Sequence, residues 1–211
     1  MGIRVLLIRH GQTDWNIEGR WQGMEDVPLN AVGFAQAQAL AEHLVQRPIR
    51  AIFSSDLQRA AETARLVGER LNLRPRLDPR LRELNIGALQ GLTYAEMSEH
   101  HPTAVRQMRD DYMGFVFPEG ESRRMLQDRA HAFWQEMTAS EPGPEVAIIT
   151  HGGWIRILLL RLFPEEMSAG GHAFGNTSIT FIDQEADGWR LSQIGSIAHL
   201  TEEGRINSDS L

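Results

Sequence analysis

Two histidines followed by glycine are the residues of this chain best suited to chemistry on phosphorus. His10 lies between Arg9 and Gly11 at the end of an apolar run, and His151 precedes two glycines at the end of another. An imidazole attacks phosphorus only when it is neutral, and a histidine with a pKa of about 6.5 is mostly neutral at pH 7. Nearby arginines disfavour its protonation further. These residue types predict phosphoryl transfer with His10 as the nucleophile.

Several other side chains and amides could hold the phosphate. Arg9 and Arg59 offer planar guanidinium donors that suit its oxygens, and each charge-assisted hydrogen bond contributes about 1.5–3 kcal/mol. His151 is predicted as a further donor, and the amides of Gly152 and Gly153, at the start of a predicted helix, suit an anion. Such donors stabilise the transition state most, because it spreads charge over the equatorial oxygens. A pocket of this kind needs no metal ion.

The leaving alkoxide needs a proton, and Glu83 is the best donor in the chain. It precedes the glycine-bearing segment Gly87–Gly91. Glu83 must be protonated for this role, a state that burial or the negative charge of the phosphate favours. After the leaving group departs, the same carboxylate could activate the water that hydrolyses phosphohistidine. We therefore expect Glu83 to serve both half-reactions.

Short apolar runs and helical periodicity indicate the elements that position these residues. Buried strands are predicted over Ile3–Ile8, Ala51–Phe53 and Val146–Thr150. Helices are predicted over Phe34–Gln46, Leu57–Leu71, Tyr94–Glu99, Thr103–Asp111, Ser122–Met137 and Trp154–Phe163, and a hairpin over Ser178–Ile182 and Trp189–Ile194. Asp56 and Ser122 are the expected N-caps of the second and fifth of these helices.

Strands that alternate with helices predict an α/β fold: a three-layer α/β/α arrangement with a mainly parallel central sheet covered by helices on both faces. We expect a single domain over residues 1–211. Ligands of such sheets bind beyond the carboxyl ends of the strands. Arg9, His10 and His151 each lie at a predicted strand end, so the fold is expected to bring them to one edge.

The composition and charge of the chain limit the classes of partner that it is expected to bind. A formal charge of −7 argues against binding to nucleic acid or to an anionic membrane, and the absence of cysteine excludes disulfides and thiolate chemistry. The run Val5–Ile8 is too short to span a membrane, so a cytoplasmic location is expected by default. The eight histidines show no metal-binding spacing, so neither a metal nor another cofactor is predicted. The expected partner is a phosphorylated small molecule, and the oligomeric state is left open.

The sequence resembles the histidine phosphatase superfamily, which includes the cofactor-dependent phosphoglycerate mutases. The resemblance is carried, in family order, by Leu7–Asn16, Arg20–Asn30, Ser54–Ala64, Leu81–Gly87, Gly120–Ser122 and Thr150–Gly153. It implies that His10 becomes the phosphohistidine, that Arg9, Arg59 and His151 complete the phosphate pocket, and that Glu83 is the proton donor. It also implies that the transferred group or substrate is bound with the help of Asn16, Gln22, Gly23 and Gly152.

Two branches of this family differ in whether water or a second hydroxyl accepts the phosphoryl group. Family mutases resemble one another in a longer, basic insertion after the acidic residue, whereas this chain has a short acidic and aromatic segment, Met108–Glu121. Pro118–Ser122 is similar to the phosphatase branch, although Gly87–Leu92 is somewhat mutase-like. We predict a phosphatase acting on phosphate monoesters of small metabolites. A phosphoglycerate mutase is the alternative, and a non-catalytic module that binds a phosphate ligand is a more remote one.

Aromatic residues are the predicted walls of the substrate pocket. The candidates are Trp21, Tyr112, Phe115, Phe117 and Trp154. For Trp154, which lies in an apolar helix, a place in the hydrophobic core is an equally good interpretation.

Overall fold

The computed structural model describes residues 2–140, 143–168 and 170–201. Its strands are β1 (Arg4–Arg9), β2 (Ile49–Ser54), β3 (Arg76–Leu77), β4 (Glu145–Thr150), β5 (Ile179–Glu185) and β6 (Gly188–Ser196). Its helices are α1 (Asp14–Ile17), α2 (Ala31–Leu44), α3 (Gln58–Leu71), α4 (Tyr94–His100), α5 (Pro102–Asp110), α6 (Arg123–Ala139), α7 (Gly152–Leu162) and α8 (Pro164–Ser168). The predicted single domain of residues 1–211 extends beyond the described residues and stays a prediction.

The six strands form one mixed sheet in the order β3-β2-β4-β1-β5-β6. Strands β1 to β4 pair in parallel, whereas β5 pairs antiparallel with β1 and then with β6. The predicted mainly parallel sheet and the C-terminal hairpin are therefore confirmed. Because β5 runs in the opposite direction, its first residues lie at the edge where β1 and β4 end.

Alternate residues of the central strands point to opposite faces of the sheet, and each face has its own core. On one face, Leu7 and Ile148 pack in a cluster with residues of α6 and α7. On the other face, Leu6 and Ile149 pack in a cluster with residues of α2 and α3. Both faces of the sheet are thus covered by helices, as the continuous apolar character of β1 and β4 predicts.

The two predicted helix caps have different outcomes. The Ser122 side chain accepts a hydrogen bond from the amide of Met125, so this N-cap is confirmed. The prediction for Asp56 is wrong: the N-cap position of α3 has no side-chain hydrogen bond, and Asp56 instead forms an ion pair with Arg82, with 2.7 Å between Oδ1 and Nε. A guanidinium offers a carboxylate two parallel charge-assisted hydrogen bonds, which one amide cannot match.

The shortest helices are not predicted from the sequence. Helices α1 and α8 have four and five residues. Such lengths are little more than one helical turn of about 3.6 residues, so the hydrophobic pattern does not repeat within them. No helix in the described ranges has the length and apolar character needed to cross a membrane.

Candidate active site

The two histidines predicted at strand ends lie side by side. Strands β1 and β4 are adjacent and in register, with Arg9 opposite Thr150, so the next residue of each strand leaves the sheet at the same edge. The amide of His10 donates to the carbonyl of Thr150 over 2.9 Å. The ring centroids of His10 and His151 are 5.2 Å apart. Parallel pairing is therefore what brings these residues together, although 140 positions separate them in the chain.

Hydrogen bonding assigns the proton of His10 to Nδ1. This atom lies 2.6 Å from the carbonyl oxygen of Gly11. A carbonyl only accepts hydrogen bonds, so Nδ1 is the donor and Nε2 keeps its lone pair. Burial, followed by the charges of Arg59 and Arg9, lowers the pKa of His10 well below its usual value. The ring is consequently neutral at pH 7, with an unprotonated Nε2.

The ring of His151 is oriented by a serine of a neighbouring strand end. Its Nε2 lies 2.9 Å from the hydroxyl oxygen of Ser55, which also accepts a hydrogen bond from the amide of Leu57. If the Ser55 hydroxyl donates to Nε2, the proton of His151 resides on Nδ1, an atom with no hydrogen-bond partner in the described part of the chain. Burial, followed by the charges of Arg59 and His10, lowers the pKa of His151 well below its usual value.

Two arginines are buried beside the histidines. Nη1 of Arg9 donates to the carbonyl of Phe174 over 2.7 Å, and the terminal nitrogens of Arg59 donate to the carbonyls of Gly23 and Glu25. Burial lowers the pKa of each arginine to about 10, so both remain charged at pH 7. The Nε atom of each has no hydrogen-bond partner within the described residues. Buried donors of this kind favour an anionic ligand, which would satisfy them.

Glu83 is held by amides at both carboxylate oxygens. Its Oε1 accepts from the amide of Leu84 over 2.8 Å, and its Oε2 accepts from the amide of Gly153 over 2.9 Å. The amide of Gly153 was predicted to bind the phosphate, and this prediction is wrong because the Glu83 carboxylate occupies it. A Cβ atom at position 153 would lie 2.5 Å from Oε1 of Glu83, so glycine permits this close approach.

The segment that carries Glu83 is fastened to two helices. Arg129 of α6 donates to the carbonyls of Arg80, Arg82 and Glu83 at 2.7–2.8 Å. The same guanidinium is paired with Glu121, with 2.7 Å between Nη2 and Oε1. No periodic or motif signal in the sequence marks this clamp, because it joins residues that are 46 to 49 positions apart.

Asn16, on α1, is oriented by a residue that sequence reasoning missed. Its Oδ1 accepts from the amide of Thr13 over 3.0 Å and from Nδ2 of Asn176 over 3.2 Å. With its oxygen occupied, Asn16 has its amide nitrogen left for a ligand. Nδ2 of Asn176 also donates to the carbonyl of His10 over 3.1 Å. Asn176 reaches this place because β5 begins at the edge where β1 ends.

These groups surround one cleft of about 380 Å³. Of the predicted site residues, eight line it: Arg9, His10, Asn16, Gln22, Gly23, Arg59, Glu83 and Gly152. His151 is not among the lining residues; its ring is buried beside that of His10. Among the described residues, no group of three or more histidine, aspartate or glutamate side chains is placed to hold a metal ion.

Comparison with known proteins assigns the family. The model of the histidine phosphatase superfamily (branch 1) matches residues 5–197. The chain belongs to the histidine phosphatase superfamily. It is 36% identical to phosphoglycerate mutase-like protein 4 of Arabidopsis thaliana, covering 97% of this chain and 90% of the relative. It is 33% identical to a metal-independent phosphoserine phosphatase of the same plant, covering 95% and 84% respectively.

A solved structure of the superfamily has the same fold. A mycobacterial glucosyl-3-phosphoglycerate phosphatase superposes with a TM-score of 0.81 at 36% identity, covering 93% of this chain and 100% of that one. The resemblance stated from the motifs and the α/β fold that it implies are both confirmed. The roles of individual residues in this histidine phosphatase remain proposals, which the geometry of the cleft supports.

The predicted aromatic wall is partly wrong. Trp21 and Tyr112 line the cleft. Phe117 and Trp154 are buried in the core, and Phe115 packs edge-on against Phe117. Large aromatic rings gain most from full burial, which explains the places of Phe117 and Trp154 in the core, whereas Phe115 is partly buried against the core. Cleft residues that the sequence analysis missed are Arg20, Leu84, Ile86, Arg123, Arg156 and Phe174.

Proposed function

We propose that this protein is a phosphatase that hydrolyses phosphate monoesters of small molecules through a phosphohistidine at His10. The observation that carries the proposal is the protonation state of His10: its proton lies on Nδ1, so Nε2 is free to attack. Arg9, Arg59 and Glu83 line the same cleft as this ring. The relatives named as phosphoserine phosphatase and glucosyl-3-phosphoglycerate phosphatase support the same reaction class.

In the first half-reaction, Nε2 of His10 attacks phosphorus and the ester P–O bond breaks. Glu83 donates its proton to the departing oxygen, which leaves as an alcohol. Arg9 and Arg59 stabilise the charge on the equatorial oxygens, and Nδ1 of His151 is proposed as a further donor.

In the second half-reaction, water attacks the phosphohistidine. Glu83, now ionised, accepts a proton from this water while the P–N bond breaks. Inorganic phosphate is released, Nε2 regains its lone pair and Glu83 is again protonated. All groups in this scheme belong to the protein, so the scheme requires no metal ion.

The remaining predicted residues are proposed to bind the substrate. The free amide nitrogen of Asn16 suits a phosphate oxygen, and Gln22, Gly23 and Gly152 line the cleft beside it. A volume of about 380 Å³ suits a small molecule. The expectations of a cytoplasmic location and of no nucleic-acid or membrane partner stay predictions.

Phosphoglycerate mutase activity is the second candidate, which the name of the mutase-like relative from Arabidopsis favours. It uses the same phosphohistidine and differs in the acceptor. Release of inorganic phosphate from a panel of monoesters, measured beside conversion of 3- to 2-phosphoglycerate, separates the two. Rapid mutase turnover with negligible hydrolysis would contradict the phosphatase proposal.

The intermediate has its own test. Rapid acid-free quenching with a ³²P-labelled monoester should trap an acid-labile phosphoenzyme in the wild-type protein. Replacing His10 with Ala should abolish this species and lower kcat by about 10³-fold or more. A His100→Ala variant, which changes an exposed histidine outside the cleft, should behave as wild type. Retained turnover in His10→Ala, or loss of turnover in excess chelator, would refute the mechanism.

A further inference from the structure

The cleft carries more positive charge than one phosphate group needs. Its lining includes five arginines and one glutamate, although the whole chain has a formal charge of −7. Arg20 is neutralised by ion pairs with Glu18 and Glu96, each at 2.8 Å. Arg9 and Arg59 match the two charges of a phosphate monoester. The two arginines that remain, Arg123 and Arg156, have no ion-pair partner among the described residues.

Arg123 is a buried cation whose neighbours are uncharged or distant. It is only 7% exposed, its Nη1 donates to the carbonyl of Tyr112 over 2.9 Å, and its guanidinium lies 4.2 Å from the Tyr112 ring centroid. Burial lowers the pKa of Arg123, and the charge of Glu83 opposes this effect. A carbonyl and a ring face leave most of the cost of burying the charge uncompensated. Arg123 lines the same cleft as Glu83, the proposed proton donor to the leaving group.

Arg156, on α7, is the second of these two cleft arginines. It follows Gly152 by four residues and Gly153 by three, so it lies on the face of the helix that borders the cleft. Its guanidinium lies 5.3 Å from the ring centroid of Phe174, and its Nη2 donates to the carbonyl of His172 over 2.8 Å. The carbonyl of Phe174 in turn accepts from Arg9. Arg156 is thus placed next to the phosphate-binding arginine.

We propose that Arg123 and Arg156 form a second anion subsite, which binds a negatively charged group on the leaving-group part of the ester. This inference rests on the proposed phosphatase function and names its substrate class: small phosphate monoesters that carry a further anion. Guanidinium groups bind carboxylates and phosphates with similar geometry, so a carboxylate and a second phosphate are the two sources of that charge.

Matched pairs of esters test the subsite. 3-Phosphoglycerate and glycerol 3-phosphate share a carbon skeleton, and the first carries a carboxylate where the second carries a hydroxymethyl group. O-Phosphoserine and phosphoethanolamine form a second pair, in which a hydrogen replaces the carboxylate. Fructose 1,6-bisphosphate beside fructose 6-phosphate tests a second phosphate. For the wild-type enzyme we expect kcat/KM to be about 10- to 100-fold higher for the charged member of at least one type of pair, the range for charge-assisted hydrogen bonds. The type of pair that shows this preference identifies the bound anion as a carboxylate or a phosphate.

Substitutions of Arg123 and Arg156 test whether these residues cause the preference for the charged ester. Arg156→Gln and Arg123→Gln should each lower kcat/KM for the charged ester by about 10-fold and change that for its uncharged partner by less than about 3-fold. Arg156→Lys and Arg123→Lys, which keep the charge, should retain part of the preference. Arg161→Gln, at an exposed position of α7, is the matched control and should behave as wild type. Thermal melting of each variant should be measured to check that it is folded.

The outcomes separate the subsite from the underlying function. Hydrolysis of charged and uncharged esters at equal kcat/KM overturns the subsite and leaves the phosphatase proposal standing. Equal losses for both members of a pair in the folded glutamine variants also overturn it, because the arginines would then act on the transferred phosphate. Hydrolysis of none of the esters by the wild-type enzyme contradicts the phosphatase function itself.

Discussion

At the scale of single residues, hydrogen bonds determine which nitrogen of each buried histidine carries a proton. The carbonyl of Gly11 keeps the proton of His10 on Nδ1 and leaves Nε2 as a base. The hydroxyl of Ser55 meets Nε2 of His151, so the same tautomer results there if the hydroxyl donates. In His10 this arrangement prepares a nucleophile, whereas in His151 it prepares an N–H donor. Identical side chains thus acquire opposite proposed roles from their neighbours.

Ser55 is expected to act as a positioning residue through His151. In a Ser55→Ala variant, the loss of one hydrogen bond should lower kcat/KM by about 10-fold and allow the ring of His151 to adopt a mixture of tautomers. Nitrogen NMR of labelled histidine measures the tautomer directly. Ser54→Ala is the matched control, because the Ser54 hydroxyl is also buried but donates to a backbone carbonyl. An unchanged His151 tautomer in Ser55→Ala would contradict this role.

The glycine at position 153 is expected to be required for the placement of Glu83. In a Gly153→Ala variant the new Cβ would lie 2.5 Å from Oε1, so the carboxylate must move. We expect kcat for alkyl phosphates to fall by about 10²-fold, the lower end of the usual contribution of a general acid. Steady-state kinetics with glycerol 3-phosphate measures the effect. Wild-type kcat in a folded variant would show that Glu83 need not occupy this position.

At the scale of elements, helices α6 and α7 hold the segment that delivers Glu83. Arg129 of α6 donates to three backbone carbonyls of this segment, and Trp154 of α7 donates from its indole nitrogen to the carbonyl of Arg80 over 2.8 Å. Thr150, at the end of β4, donates to the carbonyl of Leu81 over 2.7 Å. The segment has little regular structure of its own, so these side chains replace the hydrogen bonds that a helix or strand would provide.

Loss of the Arg129 clamp should affect the proton donor more than the phosphate pocket. In Arg129→Ala we expect kcat for an alkyl phosphate to fall by about 10- to 100-fold. The loss should be clearly smaller for p-nitrophenyl phosphate, whose leaving group departs without a proton. Measuring kcat for both substrates in the variant and in the wild type gives the two losses. Arg124→Ala, which changes an exposed arginine of α6, is the control. Equal losses for both substrates would indicate general damage to the structure instead.

At the scale of the whole molecule, the buried histidines couple folding to pH. His10 and His151 have folded-state pKa values well below the value of about 6.5 expected in the unfolded chain. Below pH 6.5 the unfolded state therefore binds protons that the native state does not. The stability associated with these groups is complete above pH 6.5 and is lost as the pH falls.

The free energy of unfolding should consequently decrease between pH 7.5 and 5.5. Each of the two histidines contributes a loss of at most about 1.4 kcal/mol over this range, a limit that is set by the unfolded-state pKa of about 6.5. Urea denaturation at several pH values measures the decrease. In a His10→Gln variant the pH-dependent loss should be smaller, by up to about 1.4 kcal/mol. A free energy of unfolding that stays constant down to pH 5.5 would contradict the prediction.

The sequence by itself determined the fold class and most of the candidate site. Apolar runs that end at Arg9 and Thr150 are local features, and the geometry of a parallel sheet then brings the next residues to one edge. The motif around His10 is also contiguous, so its resemblance to the family could be stated without coordinates. Arg59 and Glu83 follow from motifs of the same kind.

Only the tertiary structure decided which groups those residues contact. Ser55 and His151 are 96 positions apart, and the proton of His151 depends on their contact. The same holds for the Gly153 amide, which binds a carboxylate 70 positions away, and for Arg123 and Arg156, which have no ion-pair partner in the described part of the chain. Hydrogen bonds and charges act over a few ångströms in space, and no periodicity in the chain records which distant partner will lie within that distance.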